Sequence, residues 1–213
     1  MNLQIPFFNP KHLSLNAIEQ KFNYIQNWNT IDKINWSDYS YCPQVRFKIF
    51  HTNKQIVLKF HVVEDSIRAV NNTFNSPVFQ DSCCEFFIGM DDINYYNFEF
   101  NCIGAVLAGY GADRQKRNYL DTKYLDNILV YTSIEKHPFE LKIEKTEWWL
   151  IAVIPISVFH YNSFSNFSEI IAKGNFYKCG DKTMPVHYVS WSEINLPKPD
   201  FHCPEFFGNI TFE

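Results

Sequence analysis

The stretch VFQDSCCEFFIGMDDINYYNFEFNCIGAVLAGY, residues 78–110, decides the fold prediction. Within it aromatic and polar residues alternate one by one: Tyr96, Asn97, Phe98, Glu99, Phe100 and Asn101. Strict alternation is typical of a β-strand, because successive side chains point to opposite faces. We expect the aromatic face to enter the core. The amide–carboxylate–amide face is either a solvated surface or a binding surface, and such a row suits a hydroxyl-rich ligand.

The period of two recurs along most of the chain and predicts further strands. We expect them at residues 45–50, 56–63, 83–90, 95–102, 104–111, 128–134, 139–143, 148–155, 174–179, 186–191 and 207–212. Near the start, Leu15, Ile18, Phe22 and Ile25 have helical spacing, with Ser14 as the N-cap. Many short strands and one short N-terminal helix predict an all-β fold, an antiparallel β-sandwich.

Tryptophan positions give a finer expectation for the sandwich. Trp191 lies in an alternating strand and is predicted to be a core residue. Trp148 and Trp149 are adjacent, so one of them points inward and the other outward.

Length and charge limit the classes of protein. A chain of 213 residues suits a single domain, residues 1–213, with residues 1–43 as a helical and loop extension packed on it. The formal net charge of −4 argues against nucleic acid as a partner, because nucleic-acid binding needs a basic surface. No apolar run approaches the ~20 residues of a membrane span, so no membrane partner is expected.

The cysteine pattern favours free thiols over a zinc-ribbon type of metal site. The chain has 6 Cys and no CxxC pair. We interpret them as mostly free, buried thiols, which favours a reducing compartment. No signal peptide is visible in this sequence, so a cytoplasmic location is expected, with an exported form left open if a leader was removed.

Acidic residues leave two chemical alternatives open. Glu85 and Glu99 fall on neighbouring predicted strands, and a glycoside hydrolase needs two facing carboxyl groups. Four carboxylates also invite a calcium site, since hard cations bind carboxylate oxygens: Asp81, Glu85, Asp91 and Asp92. No EF-hand spacing is present, so our prediction is no cofactor, with calcium as the alternative.

The ordered blocks of the chain resemble carbohydrate-binding module family 9, in its stand-alone bacterial subgroup. The matching blocks are INW (34–36), QDSCCEFFI (80–88), YYNFEFN (95–101), WWLIAVIP (148–155), GNFYKCGD (174–181), HYVSWSEI (187–194) and PDFHCPEFFGNITFE (199–213). The resemblance covers most of the chain. It implies a sandwich related to DOMON and immunoglobulin-like domains.

The resemblance also implies a sugar site. In xylanase-attached members the sugar lies between two Trp side chains, whose positions correspond here to Val78 or Phe79 and to Phe201. Neither is Trp, so a narrower clamp of Phe79 and Phe201 is expected. The implied ligand-binding residues are Phe79, Glu85, Glu99, Asn101, Arg114 and Phe201. A typical sugar-reading Arg of the family corresponds to Glu99, for which Arg114 or Arg117 is the expected substitute.

The expected function is therefore non-catalytic binding of a mono- or oligosaccharide, associated with breakdown of plant polysaccharides of the xylan or cellulose type. No catalytic residue is assigned. Two alternatives stay open at this point: a hydrolase-like enzyme using Glu85 and Glu99, and a protein-interaction module on the same fold. The sequence makes no prediction of the oligomeric state.

Overall fold

The computed structural model describes residues 1–213, which fold into two packed sheets and one small strand pair. Its strands are β1 (Asn2–Ile5), β2 (Asn29–Thr30), β3 (Lys33–Ile34), β4 (Gln44–His51), β5 (Gln55–Glu64), β6 (Ile67–Ala69), β7 (Cys83–Gly89), β8 (Tyr95–Asn101), β9 (Val106–Gly111), β10 (Asn118–Tyr119), β11 (Leu129–Thr132), β12 (Phe139–Lys142), β13 (Thr146–Pro155), β14 (Ile171–Gly180), β15 (His187–Ser190) and β16 (Gly208–Phe212).

The large sheet runs in the order β1-β16-β14-β7-β8-β9-β10, with β15 and β3 joined alongside β14. The smaller sheet runs β11-β13-β5-β4-β2, and β6 pairs with β12 apart from both. Strand pairs are antiparallel except β1 with β16. The predicted antiparallel β-sandwich is confirmed.

Two helices accompany the sheets. Helix α1 (Leu15–Tyr24) begins where the Ser14 hydroxyl accepts a hydrogen bond from the Ala17 N–H, as the sequence predicts. It buries Ile18 and Phe22 on the outer face of the smaller sheet. Helix α2 (Thr122–Leu125) is a single turn after β10. No helix is long and apolar enough to cross a membrane.

Aromatic rings fill the space between the two sheets. Phe47 of β4 stacks on Phe176 of β14 with ring centroids 3.8 Å apart, and Phe176 stacks on Phe86 of β7 at 4.7 Å. Stacked rings bury a large apolar area in a defined geometry. Trp191 is 2 % exposed in this core, and Trp148 is buried while Trp149 is half-buried, so these Trp predictions are confirmed.

The opposite face of the large sheet is buried too. All seven residues of β8 are buried, so the solvated-face alternative for Asn97, Glu99 and Asn101 is wrong. Segments around residues 34–43 and 192–207 cover this face, and the Trp36 indole N–H joins them by donating to the Leu196 carbonyl at 2.8 Å. The alternation of β8 separates two buried environments, one apolar and one polar.

Each predicted strand overlaps an observed one, whereas five short strands were not predicted: β1, β2, β3, β6 and β10. Three of them lie in the first 43 residues, so this part of the chain contributes strands to both sheets as well as a helix. These strands are two to four residues long, too short to show a period.

A buried ion pair joins the two sheets. Lys178 of β14 and Glu64 of β5 are both inaccessible to solvent, with Nζ and Oε2 2.8 Å apart. The ammonium also donates to the Cys179 carbonyl and to His187 Nε2, and Glu64 Oε1 accepts from the Trp148 indole N–H. Burial lowers the pKa of Lys178, but the Glu64 carboxylate outweighs it, and the pKa is raised overall.

Removing the ammonium alone is expected to destabilise the fold strongly. Lys178→Met leaves Glu64 buried without a counter-charge, at an expected cost of about 3–5 kcal/mol in the free energy of unfolding. Adding Glu64→Gln keeps an acceptor for Trp148 and removes the charge, so the double variant should recover most of that loss. Urea denaturation of both variants tests this. A single variant within about 0.5 kcal/mol of wild type contradicts the role of the pair.

Candidate functional site

A cavity of about 470 Å³ opens on the covered face of the large sheet. Its floor is formed by side chains of β7, β8 and β14, and its walls come from loops and from β10 and β15. The lining residues are Phe79, Glu85, Glu99, Arg114, Arg117, Tyr119, Cys179, Asp181, Tyr188, Pro199, Asp200, Phe201 and His202. This size is in the range of small-molecule sites.

Two glutamates lie side by side on the cavity floor. Glu85 of β7 and Glu99 of β8 are directly opposite each other in the strand pair and are only 3 % and 2 % exposed. Like charges at opposed positions of neighbouring strands repel each other. The Cys179 thiol donates to Glu85 Oε1 at 3.1 Å, and the Asn97 amide donates to Glu99 Oε1 at 3.0 Å.

Burial and mutual repulsion make these carboxyl groups weak acids. Burial, with the neighbouring Glu99 charge added, raises the pKa of Glu85 well above its usual range. Burial also raises the pKa of Glu99, to about 7, although the Arg117 guanidinium opposes this shift. Two acids this close titrate as a coupled pair, and the pKa of each is raised.

Arg117 links the floor to the wall. Its Nη1 lies 3.4 Å from Glu99 Oε1 and 2.8 Å from His202 Nε2. Burial and the adjacent guanidinium lower the pKa of His202 to about 2, so the ring is neutral. Since Nε2 accepts from Arg117, Nδ1 carries the proton and donates to the Tyr95 oxygen at 2.7 Å.

A glycine leaves the room for this arrangement. A Cβ atom at Gly109 of β9 would lie 2.8 Å from Asn97 Oδ1 and 3.4 Å from Arg117 Cδ. A larger residue would therefore displace the two side chains that contact Glu99.

The aromatic wall is less open than a two-ring clamp. Phe201 is 7 % exposed and stacks on Tyr177, with centroids 4.1 Å apart, so one ring face is already covered. Tyr188 and Phe79 are half-buried and Tyr119 is exposed. At the rim, Arg114 forms an exposed ion pair with Asp200 at 3.0 Å.

Five of the six residues predicted to bind ligand line the cavity: Phe79, Glu85, Glu99, Arg114 and Phe201. Asn101 does not. Its amide donates to the Asn71 carbonyl and to Asp81, and its oxygen accepts from the Ala105 N–H, so all its polar atoms serve the fold. Alternation places Asn101 on the correct face but does not reveal that a loop covers it.

Several residues that line the cavity are not among the six that the sequence predicts to bind ligand. Arg117, one of two expected substitutes for the family arginine, contacts Glu99, whereas Arg114 pairs with Asp200. The sequence signal for Asp181 and Tyr188 was their place in two of the matching blocks. Tyr119 and His202 lie on segments whose approach to the sheet no local pattern shows.

The four acids considered for calcium do not converge. Asp81 is an internal anchor that pairs with Arg68 and accepts from the Val70 and Asn71 N–H groups. Asp91 accepts from two N–H groups of the β7–β8 turn, and Asp92 pairs with Lys173. Asp81, Asp91 and Asp92 are thus each held by different protein groups, and of the four only Glu85 lines the cavity.

One group of potential metal ligands does exist. Cys83, Glu85 and Cys179 offer ligand atoms within 4.8 Å of one another. Thiolates are the metal-binding form of cysteine, yet burial raises the pKa of Cys83 to about 12 and holds the pKa of Cys179 well above its usual range. The group is therefore a set of neutral thiols beside a carboxyl group, in which Cys179 donates to Glu85.

A β-sandwich with an aromatic and polar cavity on one covered sheet face defines a ligand-binding module of the carbohydrate-binding kind. The chain belongs to carbohydrate-binding family 9, whose family model matches residues 15–212.

Solved structures agree with this assignment. A Bacteroides uniformis protein described as carbohydrate-binding is 38 % identical, with a TM-score of 0.95 over 100 % of this chain and 99 % of that one. A family 9 module from Caldicellulosiruptor kristjanssonii in complex with cellotriose is 13 % identical, with a TM-score of 0.67 over 100 % and 94 % of the two chains. A family 9 module from that organism in complex with glucose is also 13 % identical, with a TM-score of 0.65 over 100 % of this chain and 96 % of that one. No curated protein matches the chain.

The carboxyl pair is expected to make stability fall as pH rises. Between the ordinary carboxyl pKa of 4.5 and the raised value, the folded state binds more protons than the unfolded state, so the free energy of unfolding decreases with pH. Glu85→Gln removes one acid and should flatten this decrease. Urea denaturation between about pH 5 and pH 8 measures it, with the exposed Glu140→Gln as control. Parallel curves for wild type and Glu85→Gln would contradict the assignment.

Proposed function

We propose that this chain binds a mono- or oligosaccharide non-covalently in the cavity over β7, β8 and β14. One observation carries the proposal: aromatic side chains and buried polar groups converge on one cavity of about 470 Å³. Sugar rings present apolar C–H faces and hydroxyl edges, and this lining offers a partner for each. Membership of carbohydrate-binding family 9 supports the same reading.

The polar floor accounts for recognition of hydroxyl groups. Glu99 Oε2 is buried without a hydrogen-bond partner, so a ligand hydroxyl that donates to it satisfies a polar atom the protein leaves unpaired. Glu85 and Arg117 extend the same row with an acceptor and a donor. Phe79 and Tyr188 provide ring faces at the wall, with Phe201 contributing its uncovered edge.

A binding role is favoured over hydrolysis by the placement of the two acids. In glycoside hydrolases the carboxyl groups flank the scissile bond from two sides. Here Glu85 and Glu99 stand next to each other on one sheet, so both reach a bound ring from the same side. We therefore assign neither a catalytic role, and we expect no turnover of aryl glycosides.

The choice of probe follows from the structural neighbours. Two of them are described in complex with cellotriose and glucose, and these sugars are the first to test here. We extend the proposal to plant polysaccharides, of the cellulose type, which consists of glucose units, or of the xylan type, which consists of xylose units. A role beside the enzymes that degrade them is part of the same proposal.

Isothermal titration calorimetry with glucose and cellotriose tests the proposal. Neutral hydrogen bonds contribute about 0.5–1.5 kcal/mol each, so a micromolar to millimolar dissociation constant is expected. Phe79→Ala should weaken binding by about tenfold or more, because it removes a ring face from the wall. Phe201→Ala should also reduce binding, but it disturbs the stack on Tyr177 as well.

The matched control is Tyr24→Ala, which removes an exposed ring on helix α1 outside the cavity. It should leave affinity unchanged. If the folded wild-type protein binds neither these sugars nor any sugar of a wider glycan panel, the proposal is wrong. The protein-interaction alternative then takes its place.

A further inference from the structure

Acidic groups outnumber basic groups in the lining of the cavity. Its lining contains four acids and two arginines: Glu85, Glu99, Asp181, Asp200, Arg114 and Arg117. Each arginine is already engaged, Arg114 with Asp200 at 3.0 Å and Arg117 with Glu99 at 3.4 Å. Glu85 and Asp181 have no ion-pair partner in the structure. The cavity therefore carries acidic groups in excess of its cations.

The excess lies at the floor, where water is scarce. Glu85 is 3 % exposed and its one protein hydrogen bond comes from the Cys179 thiol, a weak donor. Glu99 is 2 % exposed and its Oε2 has no partner. Buried carboxyl oxygens without strong donors are costly unless something else supplies the donors. An ammonium group supplies three N–H donors and the missing charge together.

The aromatic lining fits the same ligand. Four rings border the cavity: Phe79, Tyr119, Tyr188 and Phe201. Aromatic faces attract cations as well as apolar C–H groups. A sugar ring that carries a protonated amine thus matches the wall with its carbon skeleton and the floor with its nitrogen.

Resting on the proposed function, we propose that the cavity selects a saccharide unit with a free, protonated amine, a hexosamine, over neutral and anionic sugars. The ammonium donates to Glu85 and to Glu99 Oε2, while the ring lies against Phe79 and Tyr188. In the absence of ligand, burial next to Glu99 raises the pKa of Glu85. An adjacent cation lowers this pKa, because it favours the charged carboxylate.

The same charges exclude acidic sugars. A uronate carboxylate needs a free cation, and both arginines of the cavity are held by acids. The selection is thus for positive charge and not for charge in general.

Calorimetry of the full chain with four matched ligands tests the proposal: glucosamine, glucose, N-acetylglucosamine and glucuronate. At about pH 7, near the pKa of Glu99 and still below that of an amine of the α-amino type, glucosamine should bind about tenfold more tightly than glucose, because hydrogen bonds between ions are roughly twice as strong as neutral ones. N-acetylglucosamine keeps the nitrogen without its charge and should lose the advantage, and glucuronate should bind weakest.

Variants locate the preference. Glu85→Gln should weaken glucosamine binding more than glucose binding and so bring the ratio of the two affinities close to one, and Asp181→Asn should reduce this ratio in the same sense. Glu140→Gln changes the net charge equally at an exposed position outside the cavity and should preserve the advantage. Because Asp181 is a wall residue, its variant keeps the test decisive if Glu85→Gln fails to fold.

Three failures are distinguishable. If glucose and cellotriose bind but glucosamine binds no more tightly, the preference for an amine is overturned and the proposed function stands. If Glu85→Gln and Asp181→Asn both leave a glucosamine advantage intact, the assigned acids are wrong. If no sugar of either kind binds, the proposed function itself falls.

Discussion

The buried ammonium of Lys178 constrains the whole sandwich. It lies on the inner face of β14 and meets a carboxylate of the other sheet. A shift of β14 by one residue would turn every side chain of this strand to the opposite face and leave a charge buried without its partner. The ion pair therefore selects one register. That register places both neighbours of Lys178 on the outer face, where Cys179 lines the cavity and Tyr177 stacks on Phe201.

With the register set, the outer face must bury polar groups. The carboxylate of Asp81 has its hydrogen-bonding needs met, because it accepts from Arg68, from backbone N–H groups and from Asn101. Glu85 and Glu99 show the opposite, two opposed acids with few donors. A fold selected for stability alone would not keep this pair, because each acid raises the pKa of the other. Local conflict of this kind is expected at functional sites, where the cost is borne by the rest of the fold.

Much of this architecture could be predicted from the sequence because the signals are local. Alternation locates strands β5 and β8, a short continuous apolar run locates β13, and a Ser before a helical period locates α1. The cavity depends on contacts that no period contains, such as Tyr95 with His202 across 107 positions. Alternation also shows which face a residue occupies but not what covers it. For this reason Glu99 and Asn101 look equivalent in the sequence, whereas Glu99 lines the cavity and Asn101 is hydrogen-bonded to a covering loop.

The smaller aromatic rings and the acidic floor of the cavity act together on how a ligand is bound. The resemblance implies Trp at the positions of Phe79 and Phe201, and a Phe offers a smaller face. One face of Phe201 is moreover taken by Tyr177. Less binding free energy is then available from stacking, and more must come from polar contacts at the floor. Buried polar groups discriminate ligands more sharply than apolar faces, because a ligand that lacks the matching group leaves them unpaired. In the site proposed above, ring stacking contributes less affinity, and selectivity comes from the ligand group that reaches Glu85 and Glu99.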